Sequence, residues 1–127
     1  MTRRTIQTNS APAAIGPYSQ GVAASGLVFT SMQIGLDPAT GNVVGATAPE
    51  QVRRCLQNVK AIVEAAGGSL ANVVKVTVYM TDIQEFAAVN EVYAEFFTDD
   101  LPARAVVEVA ALPKGALIAA EAVAIVA

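Results

Sequence analysis

A chain of 127 residues is one domain's worth of sequence, and residues 1–127 read as a single domain. It is 54% hydrophobic and 15% charged, against about 25% charged in an average domain, so part of its apolar surface is expected to close a subunit interface. The net charge of −3 leaves no basic footprint for nucleic acid, and the absence of histidine removes Ser-His-Asp, Cys-His and histidine-ligated metal sites.

The single Cys55 permits neither an internal disulfide nor a thiolate zinc cluster, and a lone thiol fits a reducing, cytoplasmic compartment. Met1-Thr2-Arg3-Arg4 leads into polar residues rather than a signal-peptide core. No apolar run is long enough to span a bilayer, so no membrane partner is expected.

The first element is a short edge strand around Thr5–Thr8. Asn9–Pro17, with Pro12, Gly16 and Pro17, is loop. Strands over Tyr18–Ala24 and Leu27–Gly35 flank a tight turn at Ser25-Gly26, and Asp37–Asn42 is a second turn cluster. Thr47-Ala48-Pro49-Glu50 opens a helix: Thr47 is the N-cap, Pro49 lies near the first helical position and Glu50 follows three residues after the cap. Val52, Cys55, Leu56, Val59, Ile62, Val63 and Ala66 recur at helical spacing until Gly67-Gly68 stops the helix. Arg53-Arg54 read as solvated. Val73–Met80 is a strand. After Asp82 a second helix carries Phe86, Val89, Asn90, Tyr93, Phe96 and Phe97 on one face. Two terminal strands, 101–109 and 117–126, are joined through Pro113-Lys114-Gly115. The order β-β-β-α-β-α-β-β predicts an α+β fold, a single mixed sheet with two helices packed on one face. The other face has no cover within the chain, and a partner subunit is the natural one.

Two charges sit in the terminal apolar strands. Arg104 opens the first, and Glu121 shares a face with Leu117, Ala119, Val123 and Ile125 in the second. Charges are rarely fully buried unless paired. A guanidinium is a bidentate carboxylate clamp, and a carboxylate in an apolar site holds or activates water. The pair points to a small acidic substrate and a hydrolytic step. The competing reading is structural: an ion pair for Arg104, with Glu108 the nearest candidate, and an interface pair for Glu121. Asn90 on the apolar helix face is either a satisfied buried amide or a group that orients Arg104. Tyr18 after Gly16-Pro17 either packs or covers a pocket. Ser31 cannot be a triad nucleophile without a base.

Several long segments, in order, carry a family resemblance: Asn9–Gly21, Thr30-Ser31-x-Gln33-Ile34, Asn58–Gly67, Val89-Asn90, Pro102–Lys114 and Glu121-Ala122. Over nearly its whole length the chain resembles the RidA (YjgF-like) family of reactive enamine/imine deaminases. The resemblance implies a chorismate-mutase-like homotrimer with clefts between subunits. It also implies cofactor-free, water-driven release of ammonia from 2-iminopropanoate or 2-iminobutanoate. In such a site Arg104 binds the substrate carboxylate and Glu121 positions the attacking water. Tyr18, Ser31 and Asn90 line the cleft, and the backbone around Val106 contacts substrate or water.

Three positions depart from the family pattern. Met32 stands where the Thr-Ser-Gly-Gln strand usually has glycine, so the cleft is expected to be narrowed or blocked. Val106 replaces a frequent cysteine. Ala119 occupies a strand position where charge is common. The alternative function is therefore a non-catalytic trimeric module, natural or engineered, that binds a small carboxylate or assembles further through its apolar surface.

Overall fold

The computed structural model describes residues 2–126. Its elements in chain order are β1 (Arg3–Ile6), β2 (Gly21–Ala24), β3 (Leu27–Thr30), β4 (Gln33–Ile34), α1 (Ala48–Ala65), β5 (Val73–Met80), α2 (Phe86–Phe96), β6 (Ala103–Glu108) and β7 (Ile118–Ile125). The strands form one sheet in the order β1-β2-β3-β7-β5-β6, with β4 also paired to β7. The β5–β6 pair is parallel, joined by α2, and the other pairings are antiparallel. This is the mixed sheet that the sequence predicts.

Both terminal strands are shorter than the sequence reading, Ala103–Glu108 against 101–109 and Ile118–Ile125 against 117–126, and the earlier limits differ in three places. The edge strand is Arg3–Ile6 rather than Thr5–Thr8. The second begins at Gly21, because Tyr18 and Ser19 lie in the preceding loop. The predicted Leu27–Gly35 strand is two strands, interrupted at Ser31-Met32. The interruption is a β-bulge. β3 pairs Phe29 with Val123, whereas β4 pairs Gln33 with Ala120, so the register advances by one residue between them. Ser31 and Met32 together oppose Glu121, which is the two-against-one arrangement of a bulge.

α1 forms as the capping signals predict. Thr47 Oγ1 accepts from the Glu50 backbone N–H at 3.4 Å and donates to Glu50 Oε1 at 2.8 Å. The helix ends at Gly67, whose φ of +98° is a left-handed conformation that favours glycine. Its face of Val52, Cys55, Leu56, Val59, Ile62 and Val63 is completely buried against the strand residues that point to the same side, among them Val28, Val76, Val78, Ile118, Ala120 and Ala124. A Cβ at Gly21 would come within 2.7 Å of Ile62 Cγ2, so glycine there lets α1 sit close to β2. α2 packs beside α1 and adds Val89 and Tyr93, with Phe97 just beyond its end, to the same core.

The opposite sheet face carries Val22, Phe29, Val123, Ile125, Tyr79 and Val107, as their pairings require. Phe29 is 46% exposed and Ile125 53%. Within the chain that apolar face has no covering layer.

Candidate functional site

The residues singled out in the sequence fall into two clusters on opposite sides of the sheet. Strand neighbours point to opposite faces. β5 pairs Val76 with Arg104 and, one residue on, Thr77 with Glu121. Val76 is buried beneath the helices, so Arg104 projects to the helix side and Glu121 to the open side.

Arg104 stands on β6, the edge strand next to α2. Its Nη1 donates to Asn90 Oδ1 at 2.7 Å. The guanidinium carbon lies 4.7 Å from the centre of the Tyr93 ring and 5.3 Å from that of Phe86. Phe86, Asn90 and Tyr93 follow at helical spacing on one face of α2, so about two turns of helix cradle the cation. Asn90 is thus the group that orients Arg104. The side chain is exposed at the sheet edge, with N–H donors left over for a ligand carboxylate. It makes no bond to Glu108, whose Oε1 accepts from the Ile83 N–H at 2.8 Å. Among the described residues the ion pair is instead Arg53–Glu95 on the helix surfaces, at 2.8 Å. Arg54 is also engaged, its Nη2 donating to Asn58 Oδ1 at 2.7 Å. Val106 packs its half-buried side chain against the core beside α2.

Glu121 lies on the open face in the middle of β7, half-buried. Tyr79 Oη donates to its Oε1 at 2.6 Å. This bond, with smaller contributions from burial and from the neighbouring charge, raises the Tyr79 ionisation above its ordinary value.

The bulge that faces Glu121 opens into a groove of about 630 Å³, whose lining includes Tyr18, Ser31, Met32, Ile15, Pro113 and Lys114. Met32 is 38% exposed and has no positive φ. The bulge therefore does not need glycine's backbone freedom, and the thioether occupies space that glycine would leave open. Ser31 is held rather than free: its N–H donates to Gln20 O at 2.8 Å and its hydroxyl to Ser19 O at 2.5 Å.

The sequence reading missed Gln20, which builds this wall. It is buried, accepts from the Thr8 N–H at 2.7 Å, and donates to the carbonyls of Pro12 at 2.8 Å, Thr8 at 3.0 Å and Ala11 at 3.2 Å. One amide thus ties down the loop that presents Tyr18. Its signal was a glutamine just before a strand whose alternate residues are apolar. Tyr79 was missed as the partner of Glu121, and Phe86 and Tyr93 as the cradle of Arg104. Lys114, on the far groove wall, donates to Gly41 O at 2.9 Å.

Cys55 is buried, and burial pushes its thiol up to about 12. That excludes it as a nucleophile. Among the described residues no cluster of three or more His, Cys, Asp or Glu side chains is placed to hold a metal ion. Among the described residues no helix is long and apolar enough to cross a membrane.

Comparison with known proteins agrees with this architecture. Residues 8–126 match the family model described as Endoribonuclease L-PSP. The human 2-iminobutanoate/2-iminopropanoate deaminase is 48% identical over 125 residues, covering 98% of this chain and 91% of that protein. A RutC family protein of Pyrococcus abyssi is 49% identical over 124 residues, covering 98% of each. Among solved structures, the YjgF gene product of E. coli is similar with a TM-score of 0.92 at 50% identity, covering 96% of this chain and 98% of that one. E. coli TdcF with bound serine gives a TM-score of 0.92 at 46% identity, covering 98% and 99%. With the sequence match running almost end to end and the same fold, the chain belongs to the Endoribonuclease L-PSP family, that of the RidA/YjgF proteins.

Proposed function

We propose that this protein hydrolyses reactive 2-imino and enamine acids, 2-iminobutanoate and 2-iminopropanoate among them, to 2-oxo acids and ammonia. One observation carries the reading: relatives named 2-iminobutanoate/2-iminopropanoate deaminase are 46–48% identical along 97–98% of this chain. The Arg104 cradle supports it, since an exposed, oriented guanidinium suits a small carboxylate. A family structure with bound serine supports the same ligand class.

The chemistry asks little of the protein. An imine carbon is already electrophilic, so placing a water against it supplies much of what is needed. Arg104 holds the substrate carboxylate, and Glu121 orients the water. The water oxygen bonds to the imine carbon as its proton passes to the imine nitrogen through the Glu121 carboxylate. Collapse of the resulting carbinolamine breaks the C–N bond, releases ammonia and leaves the 2-oxo acid. No cofactor enters this scheme.

Because Arg104 and Glu121 face opposite ways in one chain, the working cleft in this proposal lies between copies of a homotrimer. The Arg104 edge of one copy meets the groove of Tyr18, Ser31 and Met32, and the Glu121 opposite its bulge, on the next, and the open apolar face is buried by assembly. The single buried thiol suits a cytoplasmic location.

Release of ammonia or 2-oxo acid from an imine generated in situ tests the activity. A rate no greater than the spontaneous one at high enzyme concentration overturns it. The second reading, a carboxylate-binding or structural module without turnover, is favoured by Met32 in the groove wall. A thermal shift with 2-oxobutanoate and no turnover decides for it.

A further inference from the structure

Tyr79 and Glu121 occupy the same sheet face on neighbouring strands, two residues apart in register. β5 sets Thr77 opposite Glu121 and Tyr79 opposite Ala119. Diagonal neighbours in an antiparallel pair lie about 7–8 Å apart, within reach of an aromatic side chain. Ala119 has no bulk beyond its Cβ, so the Tyr79 ring can lean across it toward the carboxylate. Tyr79, Leu36 and Leu112 pack together against the small cluster of Ile34, Ala116 and Ala119. The ring is therefore held, and its hydroxyl reaches Glu121 Oε1 at 2.6 Å. That length belongs to the short, charge-assisted class of O–H···O⁻ bonds.

We infer that Tyr79 is a positioning residue for the hydrolytic step: its hydroxyl pins Glu121 Oε1 and leaves Oε2 as the oxygen that holds the attacking water. The inference rests on the water-holding role of Glu121 proposed above. A free carboxylate turns broadly about its terminal torsion. A donor fixed on one oxygen sets the plane of the group before substrate arrives, so the orientation is not lost and regained at each turnover. The hydroxyl carries one proton, and the geometry gives it to Oε1. The raised ionisation of Tyr79, caused first by this bond, keeps that proton in place throughout the neutral range.

Tyr79→Phe keeps the ring and removes the donor. The expected result is a kcat lower by about tenfold, the effect of one hydrogen bond to a charged group. KM and the affinity for 2-oxobutanoate stay within about twofold, because Arg104 carries ground-state binding. In the double variant Tyr79→Phe, Glu121→Gln the loss equals that of Glu121→Gln alone, since the hydroxyl acts only through that carboxylate. Thr77→Ala, opposite the same carboxylate, controls for loosened packing and leaves kcat and KM unmoved. Should Tyr79→Phe fail to fold, Tyr79→Leu also lacks the donor and must show the same split.

An unchanged kcat in the folded variant, or independent losses in the double variant, overturns the inference while the deaminase reading stands. Ultraviolet titration of the phenol reads the contact without activity. Glu121→Ala, which leaves no acceptor, must return the Tyr79 ionisation toward its ordinary value, and no movement overturns the pairing. If the wild-type protein fails to accelerate imine hydrolysis, the deaminase reading fails. In that case the titration separately decides whether hydroxyl and carboxylate are joined.

Discussion

The side chains of Arg104 and Glu121 leave the sheet on opposite faces, separated by the strand that pairs with both of theirs. β5 holds Val76 beside Arg104 and Thr77 beside Glu121. The layers on either side of a sheet lie about 10 Å away, and a four-carbon imino acid cannot span that thickness. Under the proposed function, the Arg104 and Glu121 of one chain therefore serve different substrate molecules.

Complementation between inactive chains checks this. Arg104→Ala and Glu121→Ala are each expected to lose activity by at least about 100-fold while keeping the wild-type solution mass. When the two variants are co-expressed, random assembly brings an intact Arg104 against an intact Glu121 in about one cleft in four, so about a quarter of wild-type activity should return. No recovery in mixed assemblies places both groups in one chain's site. Dissociation of Arg104→Ala would return that residue to an interface role.

Met32 is expected to set the upper size of the substrate side chain. Met32→Gly opens the groove by most of a side chain, and each methylene accommodated changes kcat/KM by about tenfold or more. The gain should be larger for 2-iminobutanoate and longer homologues than for 2-iminopropanoate, measured as kcat/KM across the series. Because Met32 has no positive φ, glycine there relieves no strain and costs about 0.5–1 kcal/mol through chain entropy.

The protein should lose stability in alkali. Burial raises Cys55 to about 12, Tyr79 is raised by its bond to Glu121, and Tyr93 is raised by burial in spite of nearby Arg104. Each group is held protonated in the folded state beyond its unfolded value. The Cys55 contribution is therefore complete below about pH 9 and lost as pH climbs to about 12, and those of Tyr79 and Tyr93 fall away above the ordinary tyrosine value of about 10. Urea unfolding between pH 8 and 11 should show a falling midpoint. Tyr93→Phe should flatten part of that slope.

Tyr93 carries a second expectation. Its buried hydroxyl has no hydrogen-bond partner among the described residues, an arrangement that costs about 1–3 kcal/mol. Tyr93→Phe should hold or raise the melting temperature and keep the ring under Arg104, with KM unchanged. Tyr93→Ala removes the ring as well, costs about 3–5 kcal/mol by cavity formation, and frees the guanidinium, which raises KM.

Much of the fold was legible because strands and helices announce themselves by period. The α1 cap at Thr47, its stop at Gly67 and the β5 limits Val73–Met80 are where the sequence puts them. Arg104 and Glu121 stood out for a simple reason: charge is rare inside apolar strands. The bulge at Ser31-Met32 was not legible, because a register advance depends on two partner strands and leaves no mark in local composition. Nor were Tyr79 and Gln20, whose roles arise from contacts across 42 and up to 12 residues of sequence. The opposite facing of Arg104 and Glu121 was likewise hidden, since each strand alone says only which residues share its own side.

The bulge also governs how this protein can change over generations. The Ser31-Met32 step brings Thr30 and Gln33, an odd number of residues apart, to buried positions, which a regular strand forbids. Loss of one residue there would turn Gln33 and Ile34 of β4 inside out, whereas a swap of side chain at position 32 leaves the backbone untouched. Under the proposed function, substrate range can therefore change by point substitution at position 32 at fixed length, whereas a change of length there would shift the pairing of β4 with β7.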